Sequence, residues 1–346
     1  MKACVFKGPG ELAVLDVPDP EPGAGEVLLR TGATGLCHSD VRVFKGEKYA
    51  RPGVIPGHEI SGTIAAIGQG VTGLQAGQAV ALCPIIACGV CEFCRVGKRN
   101  RCPQRVTLGY DENGGLAEYV LVPAPIVRLG HVFPLPAGLP LEQASLLEPA
   151  ACVLNSLELL GVGGGTTLLL IGAGPMGLLH LVLARRLGAV VIASEPEEGR
   201  RAWARKLGAV DTIDPASQDL GARVKELTDG KGADVAVVTA GVGPAVASTL
   251  GAVRRQGYIG LFAGFPPQTI VNLDPNVIHY NELVLTGSQN ATIDQYRRTL
   301  ELLPSLPDLR QIVSHTFSID QAPRAYETRL EHEGLKSEVV FSVRTP

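Results

Sequence analysis

The sequence predicts a two-part α/β protein, with an all-β, barrel-like region over roughly the first 145 residues and a doubly wound parallel sheet after it. Three observations predict it. Up to residue 145, short apolar or alternating runs are broken by Gly and Pro every eight to twelve residues, the spacing of strands and turns. From about residue 150, helices alternate with apolar strands, the pattern of βαβ units. Within the first such unit, Gly172-Ala173-Gly174-Pro175-Met176-Gly177 follows a strand and opens a helix.

Composition sets the class. A chain of 346 residues accommodates two domains at ~100 to 200 residues each. Hydrophobic residues at 45% and charged residues at 19% describe an ordinary soluble globular protein. A net charge of −3 offers no general field for nucleic acid or anionic membrane, so neither partner is expected. Gly 42 and Pro 25 make about a fifth of the chain, turn-rich but short of disorder. The N-terminal run Met1 to Lys7 lacks a signal-peptide core, and no window reaches the ~20 apolar residues of a membrane span. A cytoplasmic location is expected, in keeping with cysteines clustered rather than spread as a disulfide framework.

In the first region, strands are expected at 26–30, 63–67, 78–82 and 117–122. Two pieces there carry metal-ligand chemistry: Cys37-His38-Ser39-Asp40 and Gly57-His58-Glu59. Thiolate, imidazole and carboxylate are donors that zinc accepts, and three of them leave a fourth position open for water or substrate. Their spacing obeys no tight rule, so Cys37 also reads as a small buried hydrophobe, His58 as a core histidine and Glu59 as a surface charge. Both pieces are expected on loops leaving strands.

Between them and the second region, Cys88, Cys91, Cys94 and Cys102 form a C-x2-C-x2-C-x7-C array. Four thiolates this close suit one tetrahedral structural zinc, whereas disulfides between cysteines three apart are strained. An iron–sulfur cluster and a redox thiol pair are the alternatives. Arg95, Lys98, Arg99 and Arg101 either offset the charge of such a centre or form a solvated loop.

The second region reads as helix 151–160, strand 167–171, helix 176–187, strand 189–194, helices 197–207 and 220–228, strand 233–239, helix 244–254, and strands 257–263 and 282–286. Glu195 ends the second strand eighteen residues after Gly177, where an acid accepts hydrogen bonds from the adenosine ribose. The glycines allow the tight turn and let backbone N–H groups approach a pyrophosphate. A helix at 293–303, a segment near 321–330 and a terminal strand at 337–343 return to the first domain.

These features together resemble the zinc-dependent medium-chain alcohol dehydrogenase family, in its sorbitol, threonine and butanediol dehydrogenase branch, over essentially the whole chain. The match rests on Gly35-Leu36-Cys37-His38-Ser39-Asp40, Gly57-His58-Glu59, the four-cysteine lobe, Glu148-Pro149, the glycine fingerprint and Gly334-Leu335-Lys336. It implies a GroES-like β-barrel catalytic domain (1–149 and 289–346) and a Rossmann domain (150–288), with the active site in the cleft between them. The two donor sets, one closed and one open, predict two zinc ions per chain, and Glu195 predicts NAD rather than NADP, with Arg200 and Arg201 close enough to blur the choice. Cys37, His58, Glu59 and conditionally Glu148 would surround the catalytic zinc, and Cys88, Cys91, Cys94 and Cys102 the structural one. Ser39 would take the substrate proton. His38 and Lys336 would lie near the cofactor phosphates, Arg200 beside the ribose, and Gly172, Gly174, Pro175, Met176, Gly177 and Glu195 around the dinucleotide. A homotetramer or homodimer is the implied assembly.

Two departures from the family pattern matter. Five residues after the cysteine, relatives often carry a histidine that ends a proton relay; here stands Arg42, which cannot release its proton. The relay is therefore expected to leave Ser39 through cofactor ribose and water. At Glu148, simple alcohol dehydrogenases carry a second cysteine ligand, which argues against primary alcohols. The implied reaction is oxidation of a secondary alcohol, of polyol, vicinal diol or hydroxy-amino acid type, to a ketone. Rival readings are a simple alcohol dehydrogenase, a non-catalytic NAD-binding zinc protein and a metal-free quinone reductase. Phe44, Tyr110 and Gln289 are the loop side chains expected to shape the pocket.

Overall fold

The computed structural model describes residues 1–341. They divide into two compact units, 1–151 with 291–341 and 152–290. Among the described residues no helix is long and apolar enough to cross a membrane.

The first unit is built on a seven-stranded sheet, ordered Val313–Phe317, Lys336–Val340, Val27–Gly35, Glu59–Ile67, Ala79–Leu82 and Val132–Pro134, with Tyr119–Val122 also paired to the central strand. Along that strand Val27, Leu29 and Ala33 are buried at alternating positions, the period-two pattern of a sheet with one face on a core. Ile60, Ile64, Val80, Leu82, Val120 and Val122 close over Val27 and Leu29 from neighbouring strands. The register places Gly35 opposite both Glu59 and Glu338. This sets Lys336 at the end of the sheet where the chain runs on from Gly35 to Cys37.

The second unit is a six-stranded, all-parallel sheet in the order Asp211–Ile213, Val190–Ser194, Thr167–Ile171, Ala233–Val238, Val253–Leu261 and Val284–Gly287. The third and fourth strands in that order flank the point where the winding reverses, the place where doubly wound sheets bind nucleotides. Leu168, Leu169 and Leu170 are all fully buried, as a central strand covered on both faces requires.

Three expectations need correction. The helix expected at 244–254 spans only Gly243–Thr249, and the strand expected at 257 begins at Val253. Gly251 breaks the helix, and parallel pairing of Ala233 with Val253 recruits the next residues into the sheet. The strand expected at 337–343 is Lys336–Val340; positions 342 and 343 lie outside the described residues. The Cys37 segment is not a loop: Cys37 is the N-cap of a helix, His38–Phe44, and Glu59 is the first residue of its strand.

Candidate active site

The His38–Phe44 helix starts where the central strand ends. Asp40, at the third helical position, reaches back to accept from the Cys37 amide at 2.9 Å, half of a capping box. Its other oxygen lies 3.2 Å from His58 Nδ1, in ion-pair range but out of line for a hydrogen bond. One buried carboxylate thus fixes the position of Cys37 and the orientation of His58. With Nδ1 turned to Asp40, Nε2 is the ring nitrogen left for a metal. The backbone turn that delivers His58 needs Gly57 at φ +92°, where a Cβ would also lie 2.7 Å from the Thr34 methyl.

Glu59 is wholly buried and meets Lys336, whose Nζ lies 2.8 Å from Oε1 and 2.6 Å from Oε2. The same ammonium donates to Leu36 O at 3.2 Å. Burial works against the charge on Lys336, but Glu59 and Cys37 outweigh it and raise its pKa above the ordinary lysine value. Only a glycine at position 35 leaves room for this pair: a Cβ there would stand 2.0 Å from Glu59 Oε2 and 3.1 Å from Lys336 Cε.

Ligand atoms of Cys37, His58 and Glu59 lie within 4.8 Å of one another. His58 Nδ1 and Asp40 Oδ1 are buried and face each other without a well-formed hydrogen bond, and Glu59 Oε2 is buried with only the Lys336 ammonium beside it, so the charged donors here are held by few hydrogen bonds. For His58, burial opposes protonation, yet Asp40 and Cys37 overcome it and hold the pKa well above the ordinary value. For Asp40, burial raises the pKa, while the charge of the nearby His58 and the hydrogen bond from the Cys37 amide lower it; the net is downward. The pocket therefore demands positive charge, and its soft, borderline and hard donors fit zinc.

Ser39 Oγ and Tyr110 Oη are 2.6 Å apart, and the Tyr110 ring packs on His58 with centroids 5.1 Å apart. Arg42 pairs with Glu47 at 3.4 Å, so its guanidinium faces a surface carboxylate. Partial burial and the nearby Arg329, Arg42 and Lys45 hold His38 below the ordinary histidine pKa. Glu148 lies in the first turn of the Leu147–Leu159 helix, outside the three-donor group but near enough to act on Tyr110 electrostatically. Asp40, Gly35 and Lys48 were missed as site residues. The Cys37-x-x-Asp40 spacing of a capping box was the available signal for Asp40.

Cys88, Cys91, Cys94 and Cys102 are all free, with sulfurs within 4.8 Å of one another. Cys88 Sγ and Cys94 Sγ are 3.9 Å apart. Four sulfurs about 2.3 Å from a tetrahedral zinc stand about 3.8 Å apart, so the cage fits. Amides of Cys88 and Cys91 point at Cys102 Sγ and Cys88 Sγ, both at 3.4 Å. The amides of Val90 and Cys91 bring the Cys88 thiol down to about 6, while burial pushes Cys94 up to about 12. Of the basic residues in this loop, Arg99 donates to Leu129 O at 2.9 Å instead of facing the sulfurs.

In the second unit, Gly172 turns the chain at φ +96° and Gly174 caps the Pro175–Arg186 helix, with Pro175 and Met176 in its first turn. A Cβ on Gly177 would meet Gly172 O at 2.0 Å, whereas one on Gly174 would meet nothing within 4 Å. Gly177 therefore serves close packing, and the surface over Gly174 is open to a ligand. Glu195 accepts from the Ala173 amide at 2.7 Å and the Glu197 amide at 3.1 Å, which ties the acid to the glycine turn. Arg200 pairs with Glu197 at 3.3 Å, and Arg201 with Glu198 at 2.8 Å.

Known proteins are similar to this chain over almost its whole length. Residues 23–135 match the alcohol dehydrogenase GroES-like domain and residues 175–305 the zinc-binding dehydrogenase domain. L-threonine 3-dehydrogenase of Pyrococcus furiosus is 34% identical over 96% of this chain and 95% of its own. Sorbitol dehydrogenase of Halalkalibacterium halodurans is 32% identical over 97% and 98%. A solved structure from Sinorhizobium meliloti 1021, bound to NADP, superposes with a TM-score of 0.91 at 30% identity, covering 98% of this chain and 99% of that one. With two donor sets suited to zinc, a glycine fingerprint on a parallel sheet and full-length relatives, this chain belongs to the zinc-dependent medium-chain alcohol dehydrogenase family.

Proposed function

We propose that the protein oxidises a secondary alcohol with a neighbouring hydroxyl or other polar group to the ketone, using NAD, and catalyses the reverse. The observation that carries this is the three-donor group of Cys37, His58 and Glu59 beside the Ser39 hydroxyl. Those three residues would hold a zinc ion, which would supply Lewis acidity toward the alcohol oxygen, and a bound nicotinamide would supply the hydride acceptor. Asp40 keeps His58 oriented, and Lys336 keeps Glu59 in place. Ser39 offers its oxygen to the substrate hydroxyl proton and exchanges hydrogen bonds with Tyr110. Arg42, tied to Glu47, takes no part in moving that proton. Threonine and sorbitol, named in the relatives, share a secondary hydroxyl flanked by a polar group, which supports the substrate class.

Glu148 supports it on grounds of charge. Zinc with Cys37 thiolate, neutral His58 and Glu59 carboxylate is neutral, and a fourth anion would weaken the Lewis acid. A carboxylate near the group but outside it is placed to accept from water or a second substrate hydroxyl. Glu148→Gln is therefore expected to retain zinc yet lose more kcat/KM on a vicinal diol than on a matched mono-alcohol. Equal losses on both substrates count against the second-hydroxyl role.

Two zinc ions per chain are expected, with different exposure to chelators. Four thiolates close the structural cage, whereas three donors leave the other site open. A mild chelator should abolish NADH formation and release one equivalent of zinc before the unfolding transition moves. Loss of activity only together with unfolding would contradict this.

For the cofactor, Glu195 repels a 2′-phosphate, and the arginines that could receive it are already paired with Glu197 and Glu198. The expected outcome is a higher kcat/KM with NAD than with NADP. The NADP in the Sinorhizobium meliloti structure makes the direct comparison necessary.

A further inference from the structure

We propose that Lys48 is the anion-binding arm of the substrate pocket, so that the substrate is a polyol or hydroxy compound carrying a phosphate or carboxylate. This rests on the Cys37 site being the place of alcohol oxidation. Lys48 follows the His38–Phe44 helix, and its Nζ lies 3.7 Å from the centroid of the Tyr110 ring. Tyr110 is only 8% exposed, and its hydroxyl is the one that meets Ser39 at 2.6 Å. The ammonium is thus anchored one aromatic ring away from the hydroxyl that handles the substrate proton.

The charge it carries is not matched. Among the described residues, Lys48 has no carboxylate within 4.0 Å and no hydrogen-bond partner, whereas Lys2 and Lys336 each meet an acid. Its electrostatic neighbours are Arg42 and Arg105, which repel it, and Asp40 and Cys37, which attract it. Both attractive groups are engaged elsewhere, Asp40 with His58 and Cys37 in the donor group. Desolvation of the ammonium against the Tyr110 ring and the two arginines outweigh them and hold Lys48 below the ordinary lysine pKa, although the side chain as a whole stays exposed.

A comparison separates this from ordinary surface packing. Lys206 also lies over an aromatic ring, at 4.2 Å from Trp203, but both belong to one surface helix. Lys48 and Tyr110 are brought together from distant parts of the chain, beside the reacting group. Lys48 itself remains solvent-accessible, so a ligand can reach it. A cation fixed without a counterion gains more from an anion than from a neutral hydroxyl, because charge-assisted hydrogen bonds are roughly twice as strong as neutral ones. A substrate with its reacting hydroxyl at Ser39 and an anionic group several bonds along would satisfy both ends.

The test compares matched substrates, sorbitol with sorbitol 6-phosphate and threitol with threonate, with saturating NAD and zinc-loaded enzyme. The wild type should favour at least one anionic member by about tenfold or more in kcat/KM, and the two pairs tell phosphate from carboxylate. Lys48→Gln should lose that preference, falling far more on the anionic than on the neutral member, and Lys48→Arg should keep most of it. Equal or better turnover of the neutral members by the wild type, or equal losses in Lys48→Gln on both members, overturns the proposal. Calorimetry of sorbitol 6-phosphate and threonate binding separates this from failure of the oxidation reading. If no member yields NADH, that reading fails, while anion binding weakened in Lys48→Gln still upholds the arm. Binding absent in the wild type, or unchanged in the variant, overturns it.

Discussion

Lys336→Met is expected to destabilise protein stripped of the Cys37-site metal by about 3–5 kcal/mol, the usual cost of leaving one member of a buried ion pair uncompensated. Lys336 is 3% exposed and Glu59 wholly buried, so water cannot replace the lost partner. The same substitution should cost less in the zinc-loaded protein, because a metal ion held by Glu59 would still compensate its charge. Denaturant unfolding of both proteins, with and without zinc at the open site, reads the difference directly. Equal destabilisation in the two metal states would show that Lys336 acts through packing of its stem and not through the charge of Glu59.

Gly35→Ala is expected to lower kcat/KM by about 100-fold or more, by displacing Glu59, the proposed metal ligand. The new methyl would stand 2.0 Å from Glu59 Oε2. No flexible surface group can give way, since the carboxylate is held by Lys336 and enclosed by the sheet. The backbone of position 35 pairs with both Glu59 and Glu338, which prevents the strand from shifting to make room. Zinc content should fall from two toward one per chain, with the four-cysteine site still filled. A variant that keeps both ions and normal turnover would mean that Glu59 can move without consequence, and would remove it from the ligand set.

Much of the site was legible because its donors carry local signals. The four cysteines lie within fifteen residues of chain, and one short loop with a helix and a 3-10 turn is enough to gather them. The glycine fingerprint announces itself in the same way, by a strand before it and a helix after it. Cys37, His58 and Glu59 were harder, since each alone has an ordinary reading; family resemblance, not spacing, singled them out. Helix ends were less secure, as the segment after Thr249 shows, because local propensity there yields to sheet pairing.

The sequence by itself determined the fold class and the family, since those follow from periodicity, turn residues and motifs contiguous in the chain, and the family resemblance in turn pointed to the candidate metal and nucleotide residues. Tertiary structure decided what surrounds them. Lys336 reaches Glu59 across 277 positions, because antiparallel register sets Glu338 against Gly35, and Gly35 in turn lies against Glu59. Resemblance placed Lys336 near cofactor phosphates; in the structure its buried ammonium meets Glu59 and Leu36 O. Tyr110 and Lys48 come to Ser39 and to each other by the packing of separate loops. No periodicity encodes such contacts: strand register and loop packing are settled by the whole sheet at once, and only the folded chain shows which charge ends beside which.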